Sequence, residues 1–105
     1  MLSTFRARSK CFVVTYKYCE DMATRRVPIR ENHLKHANTH VPLGLMVGGA
    51  LQLPIDAGII IYKTENEEQV RNFVLQDPYF KHGLITDYSI REYLPVIGQL
   101  KDQFS

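Results

Sequence analysis

The stretch of sequence that decides the fold is Cys11-Phe12-Val13-Val14-Thr15-Tyr16. Almost every position is β-branched or aromatic, which is typical of a strand and predicts one that runs to about Tyr18. Apolar residues occupy both odd and even positions, so both faces of this strand are expected to be covered.

A helix is predicted after a polar connection at residues 19–27. Pro28 suits the first turn of a helix, where a backbone N–H is not needed, and the helix is expected to end near Asn38 or Thr39. Its predicted core stripe consists of three residues at i, i+3 and i+7 spacing: Leu34, Ala37 and Val41.

The rest of the chain predicts one more helix and three more strands. Thr64 is a candidate N-cap for the helix, and Glu67, three residues later, completes a capping box. Asp77-Pro78 should end this helix, because the residue before a proline disfavours helical geometry. The predicted strands are residues 41–51, 58–62 and 84–94.

The order of elements is therefore β-α-β-β-α-β. This is the ferredoxin-like α+β pattern, with an antiparallel four-stranded sheet and both helices on one face. The second face is also apolar and lacks a cover, so a second copy of the chain is expected to bury it in a homodimer. The predicted domain comprises residues 11–98, between a flexible N-terminal tail at 1–10 and a C-terminal tail at 99–105.

Composition narrows the class of protein. Hydrophobic residues make up 45% and charged residues 23% of the chain, as in ordinary globular domains. The net charge of +2 and the scattered basic residues argue against a nucleic-acid partner. No apolar run approaches the roughly 18 residues of a membrane span, so no membrane partner is expected.

Two features bear on the compartment. Cys11 and Cys19 lie at the two ends of the first strand, too far apart to pair, and predict free thiols in a reducing environment such as the cytoplasm. Residues 1–10 are basic and rich in hydroxyl groups and contain no acid, which leaves a mitochondrial presequence as the alternative.

The residues with catalytic potential are His33 and Asp77, one on the first predicted helix and one at the end of the second. A carboxylate that orients an imidazole and favours its charged form makes a proton-transfer pair. The residues alone leave simpler interpretations open. His33 fits a boundary histidine bonded to the backbone, and Asp77 fits the end of a helix.

Neighbouring residues extend this candidate site. Arg30, one turn before His33, is placed to bind an anionic substrate, although an ion pair with Glu31 or Asp21 explains it equally well. Tyr79 is expected in the core or on the wall of a cavity.

A zinc site is not expected, although three histidines share one helix face: His33, His36 and His40. The first and last of them are separated by roughly 10.5 Å of helix rise, which is too far for one ion. His36 and His40 are therefore predicted to be solvated.

The chain resembles the YciI (YCII-related) family over most of its length, from about Cys11 to Leu94. The resemblance rests on the aromatic first strand, the Arg30 to Leu34 segment, the glycine-bearing second strand, and Asp77-Pro78-Tyr79 followed by Gly83. It implies a dimeric α/β barrel in which two sheets enclose a cavity. It also implies a His–Asp active site at His33 and Asp77, without a metal or an organic cofactor.

One segment departs from the family pattern. Gly49-Ala50 stands where the family usually carries Gly-Pro, and the following loop, residues 51–55, is more apolar than the acidic loop common in the family. This loop is expected near the cavity mouth, where it would affect substrate preference or activity.

Two functional hypotheses follow. The first is a small enzyme of the lyase or isomerase type acting on a small carbonyl or aromatic-derived compound. In it His33 moves a proton, Asp77 orients His33, and Arg30 or a cavity tyrosine such as Tyr79 binds the substrate. The second is a non-catalytic ligand-binding or interaction module with the same fold.

Overall fold

The computed structural model describes residues 9–104 of the chain. Within that range the predicted order β-α-β-β-α-β is found, with three short helices added. The strands are β1 (Lys10–Tyr18), β2 (Leu45–Ala50), β3 (Ala57–Thr64) and β4 (Ile85–Glu92). The helices are α1 (Met22–Arg25), α2 (Arg30–His40), α3 (Glu67–Gln76), α4 (Pro78–Lys81) and α5 (Lys101–Phe104), with a 3₁₀ turn at Val41–Leu43.

The sheet has the strand order β2-β3-β1-β4, and every neighbouring pair is antiparallel. The β-branched and aromatic segment that opened the sequence is therefore a central strand. Val14 lies opposite Ile60 on one side and Ile90 on the other. This is the ferredoxin-like α+β fold, as predicted.

The hydrophobic core lies between the sheet and the long helices. Alternate residues of β1 and β3 point into it, since successive side chains of a strand face opposite ways. Val70, Phe73 and Val74 of α3 are fully buried against them. The residues of β1 and β3 that share this core are Phe12, Val14, Tyr16, Ile60 and Tyr62.

The predicted core stripe of α2 is wrong at two of its three positions. Leu34 is 44% exposed and Val41 is 53% exposed, and only Ala37 packs against the core. The face of the helix that contacts the domain instead carries the three histidines. Imidazole rings have apolar faces as well as polar atoms, so the last two of these rings pack on Phe73 and still find hydrogen-bond partners.

Helix α3 begins later than predicted. Thr64 remains in β3, where it pairs with Lys10, and its hydroxyl accepts the backbone N–H of Asn66 at 3.2 Å. Asn66 is the N-cap, and its side chain accepts the N–H of Glu68 at 2.9 Å. The strand therefore ends two residues past the point that the sequence favoured, and the cap shifts with it.

Shorter segments complete the described chain. Helix α1 occupies part of the predicted connection and buries Met22 against the core. Helix α5 occupies part of the predicted C-terminal tail, and the predicted N-terminal tail lies mostly outside the described residues.

Cys11 and Cys19 are buried free thiols. No helix between residues 9 and 104 combines the length and apolar character needed to cross a bilayer.

Two glycines are required by close packing. Gly44 has a φ of 134°, and its carbonyl accepts the N–H of Lys63 where the chain enters β2. Gly58 of β3 lies directly under the phenol of Tyr18, so a Cβ at that position would collide with the ring and its hydroxyl. Tyr18 is thereby seated against bare backbone.

Replacement of Gly58 by alanine is expected to displace Tyr18 and lower the free energy of unfolding by about 1–3 kcal/mol, the usual cost of overpacking. Urea denaturation of Gly58→Ala would measure the loss. Gly49→Ala is the matched control, because a Cβ there meets nothing within 4 Å. The Gly58→Ala, Tyr18→Phe double variant should recover part of the loss. Equal stability of the two alanine variants would contradict this account.

Candidate active site

Asp77 is positioned by the proline that follows it. Its backbone is extended, with ψ at 124°, so it ends α3 and serves as the N-cap of α4. The Asp77 Oδ1 atom accepts the N–H of Tyr79 at 2.9 Å. The side chain is completely buried, so this carboxylate needs partners from the rest of the fold.

The structure brings His33 and Asp77 together. His33 Nδ1 lies 2.7 Å from Asp77 Oδ1, and the His33 side chain is 14% exposed. Since an ionised carboxylate only accepts hydrogen bonds, Nδ1 carries the proton. No other described residue bonds to the ring, which leaves Nε2 as the atom available to a bound molecule.

Tyr79 supports the imidazole from one side. Its ring stacks on that of His33, with centroids 3.7 Å apart and planes 2° from parallel. Tyr79 is almost fully buried, and it meets Tyr18 edge-on at 6.2 Å. Tyr79 therefore contacts His33 and helps to orient its ring. The predicted contact of Tyr79 with a substrate stays a prediction.

Tyr16 is a member of the site that the sequence did not reveal. Its hydroxyl donates to Asp77 Oδ2 at 2.9 Å from the buried face of β1. Burial raises the pKa of Tyr16, and the Asp77 carboxylate raises it further, so the phenol stays protonated and remains a donor. The position of Tyr16 on the helix-facing side of β1 was the feature of the sequence that could have pointed to this role.

A cavity of about 360 Å³ lies beside this cluster, a size suited to a small molecule. Helix α2, strand β2 and the ends of β1 and α4 provide its walls. The lining residues include His33, Tyr16, Tyr18, Tyr79, Leu34, Ala37, Val41, Gly48, Gly49 and Ala50. Gly49-Ala50, where the family pattern is broken, lies on the wall, whereas the loop at 51–55, which was expected near the cavity mouth, is not part of the lining.

Two arginines line the same cavity. Arg30 was a predicted substrate-binding residue, and Arg26, which the sequence did not single out, joins it. The predicted ion pairs of Arg30 with Glu31 or Asp21 are absent from the described residues. Burial, with Tyr79 and Asp77 nearby, raises the pKa of Tyr18 to about 12, although the two guanidinium groups act in the opposite direction.

The other two histidines of α2 have structural partners, so the prediction that they are solvated is wrong. His36 donates from Nε2 to the carbonyl of Phe73 at 2.8 Å. His40 Nδ1 lies 2.6 Å from the hydroxyl of Tyr62, and Gln69 donates to that hydroxyl at 2.9 Å. Burial, followed by the neighbouring His36, lowers the pKa of His40, which suits a neutral ring that accepts from Tyr62.

Metal ligation finds no support in this arrangement. The three histidines of α2 bond to three different groups, and no cluster of three or more His, Cys, Asp or Glu side chains occurs among residues 9–104. Each histidine nitrogen that contacts the domain already makes a hydrogen bond to a protein group.

Tyr16→Phe is expected to lower the free energy of unfolding by about 1–3 kcal/mol, because Asp77 Oδ2 loses its donor in a buried setting. Urea denaturation at neutral pH would measure this. Tyr93→Phe, at an exposed tyrosine, is the matched control and should lie within about 0.5 kcal/mol of the unmodified protein. Equal effects of the two substitutions would show that the Tyr16–Asp77 bond contributes nothing.

Solved structures similar to this chain share its fold. The dehydrochlorinase of 5-chloro-2-hydroxyhydroquinone from Burkholderia phenoliruptrix AC1100, solved with 2,5-dihydroxybenzoquinone, has a TM-score of 0.68 and 20% identity, with 79% of this chain and 92% of that chain covered. A candidate antibiotic biosynthesis monooxygenase from Bacteroides thetaiotaomicron has a TM-score of 0.56 and 13% identity, with 90% and 95% covered.

The sequence itself matches a family model. No curated protein matches it significantly. The model of the YCII-related domain, however, matches residues 11–94, which include both partners of the His33–Asp77 pair. The chain therefore belongs to the YCII-related domain family.

Proposed function

We propose that this protein is a small enzyme of the lyase or isomerase type that moves a proton on a small carbonyl or aromatic-derived compound. The observation that carries the proposal is the His33–Asp77 pair, joined at 2.7 Å at the wall of a ligand-sized cavity. The similar dehydrochlorinase acts on a hydroquinone, which fits an aromatic-derived substrate.

The geometry supports a definite division of labour. Asp77 accepts the Nδ1 proton of His33, so Nε2 presents a lone pair that can take a proton from a carbon next to a carbonyl. The electron pair of the C–H bond then forms a carbon–carbon double bond, and the π pair of the carbonyl moves onto its oxygen. The imidazolium is then stabilised by the Asp77 carboxylate, and its Nε2 proton returns to another atom or assists a leaving group.

Turnover by dyad variants tests the proposal. Chloride release from 5-chloro-2-hydroxyhydroquinone and solvent deuterium incorporation into arylpyruvates are suitable assays for lyase and isomerase activity. His33→Gln and Asp77→Asn should each lower the rate by at least ~10²-fold, since general acid–base catalysis contributes about that much. His82→Gln, which alters an exposed histidine, is the matched control.

A structural readout separates a lost dyad from general damage. The nitrogen-15 spectrum of His33 should show a protonated Nδ1 and a bare Nε2, and Asp77→Asn should shift the balance toward the other tautomer. Wild-type rates in both dyad variants would overturn the proposal. Binding of the same compounds without turnover in the unmodified protein would favour the ligand-binding module, which the altered Gly49-Ala50 wall also fits.

A homodimer is part of the proposal. The sheet face away from the helices is open in the single chain and carries Val47 and Ile59, which are 54% and 40% exposed. Ile61 lies on the same face, directly opposite Val13 of β1 on one side and Val47 of β2 on the other. A contiguous apolar face of this kind favours a second copy as its cover.

Ile59→Lys should convert the expected dimer into a monomer, because it places a charge in the centre of the open face. Analytical ultracentrifugation over a range of protein concentrations would measure the dissociation constant, which should rise at least ~10-fold. Asn32→Lys, at an exposed position of α2, is the control for added charge. A monomeric unmodified protein, or an unchanged dimer in Ile59→Lys, would contradict the assignment.

A further inference from the structure

The cavity beside His33 carries two positive charges that no described carboxylate neutralises. Arg26 and Arg30 both line it, four residues apart along the same helical path, and the N–H of Arg30 donates to the carbonyl of Arg26 at 2.8 Å. Neither arginine takes part in an ion pair among the described residues. None of the lining residues is acidic.

Another arginine shows the contrast. Arg71 on α3 is partly exposed beside Glu67 and Glu68, which bind its guanidinium at 2.9 Å and 3.2 Å. The Asp77 carboxylate, which bonds to His33, is not itself a lining residue, and its single negative charge cannot cancel both guanidinium charges. The cavity therefore keeps a net positive charge, which attracts an anion.

The chemistry of the walls limits the kind of anion. The stacked rings of His33 and Tyr79 form one side, and Gly48 on the other leaves the wall without a side chain. Apolar side chains of α2 and of the 3₁₀ turn that follows it also line the cavity: Leu34, Ala37 and Val41. Flat apolar surfaces with a cationic rim suit a planar ring that bears an anionic oxygen group.

We propose that Arg26 and Arg30 form an anion-binding pair, and that the substrate class is a small planar acid whose carboxylate lies on these two guanidinium groups. This inference rests on the proposed function only in taking that acid as the molecule on which His33 acts. The pair would also stabilise the additional negative charge that develops on oxygen when His33 removes a proton.

Equilibrium binding tests the pair without any need for turnover. Benzamide, benzoate and phthalate have the same ring and carry zero, one and two negative charges at neutral pH. NMR titration of the full chain should give the tightest binding for phthalate and the weakest for benzamide. Arg26→Gln and Arg30→Gln should each weaken phthalate binding about 10-fold and leave benzamide binding within twofold.

Arg25→Gln is the matched control, because it removes the same charge one residue away at an exposed position outside the cavity lining. It should bind phthalate within twofold of the unmodified protein, and circular dichroism should show that all three variants fold. Equal affinity for the three compounds, no detectable binding of phthalate, or unchanged phthalate binding in Arg26→Gln and Arg30→Gln would overturn the proposal.

The two proposals fail separately. If the arginine variants lose the preference for anions while the dyad variants keep full turnover, the anion pair stands and the proton-transfer function falls. If the dyad variants lose turnover while the arginine variants still prefer phthalate as the unmodified protein does, the proton-transfer function stands and the anion pair falls.

Discussion

The buried carboxylate of Asp77 is the constraint on which the rest of this structure depends. An ionised group out of contact with water is tolerated only when donors surround it, and each donor here comes from a different part of the chain. Tyr16 approaches from β1, His33 from α2 and the backbone N–H of Tyr79 from α4. The position of Asp77 is itself fixed locally by Pro78. Because Pro78 fixes Asp77 at the end of α3, the hydrogen bonds of this carboxylate hold the sheet, α2 and α4 relative to one another.

Helix α2 is attached to the domain by hydrogen bonds of its histidine side chains rather than by a stripe of aliphatic residues. His33, His36 and His40 each bond to a separate group, and the last two also pack on Phe73. Because the histidines provide the attachment, the aliphatic side of the helix is released from core packing and lines the cavity. The same helix thus supplies an orienting face toward the domain and an apolar wall toward a ligand.

The parts of the structure that obey local rules could be predicted from the sequence. Runs of β-branched and aromatic residues identified β1 and β3, and Asp-Pro identified the end of α3 and the place of Asp77. Features set by tertiary contacts could not be read in this way. Tyr16 looked like any core aromatic, and the cap of α3 moved from Thr64 to Asn66 because β3 extends further along β1. Arg26 reaches the cavity only because of how the short helix before α2 is placed, which no spacing rule encodes.

Both faces of β1 are apolar because each has a different role in the structure. Even-numbered residues of β1 face the helices, where Phe12 and Val14 enter the core while Tyr16 and Tyr18 form part of the site. Odd-numbered residues such as Val13 lie on the open face of the sheet, next to Ile61. Since side chains alternate along a strand, a shift of one residue in register would exchange these roles completely. The pairing of β1 with β3 therefore fixes at once the buried core, the hydrogen bond to Asp77 and the surface left for a partner.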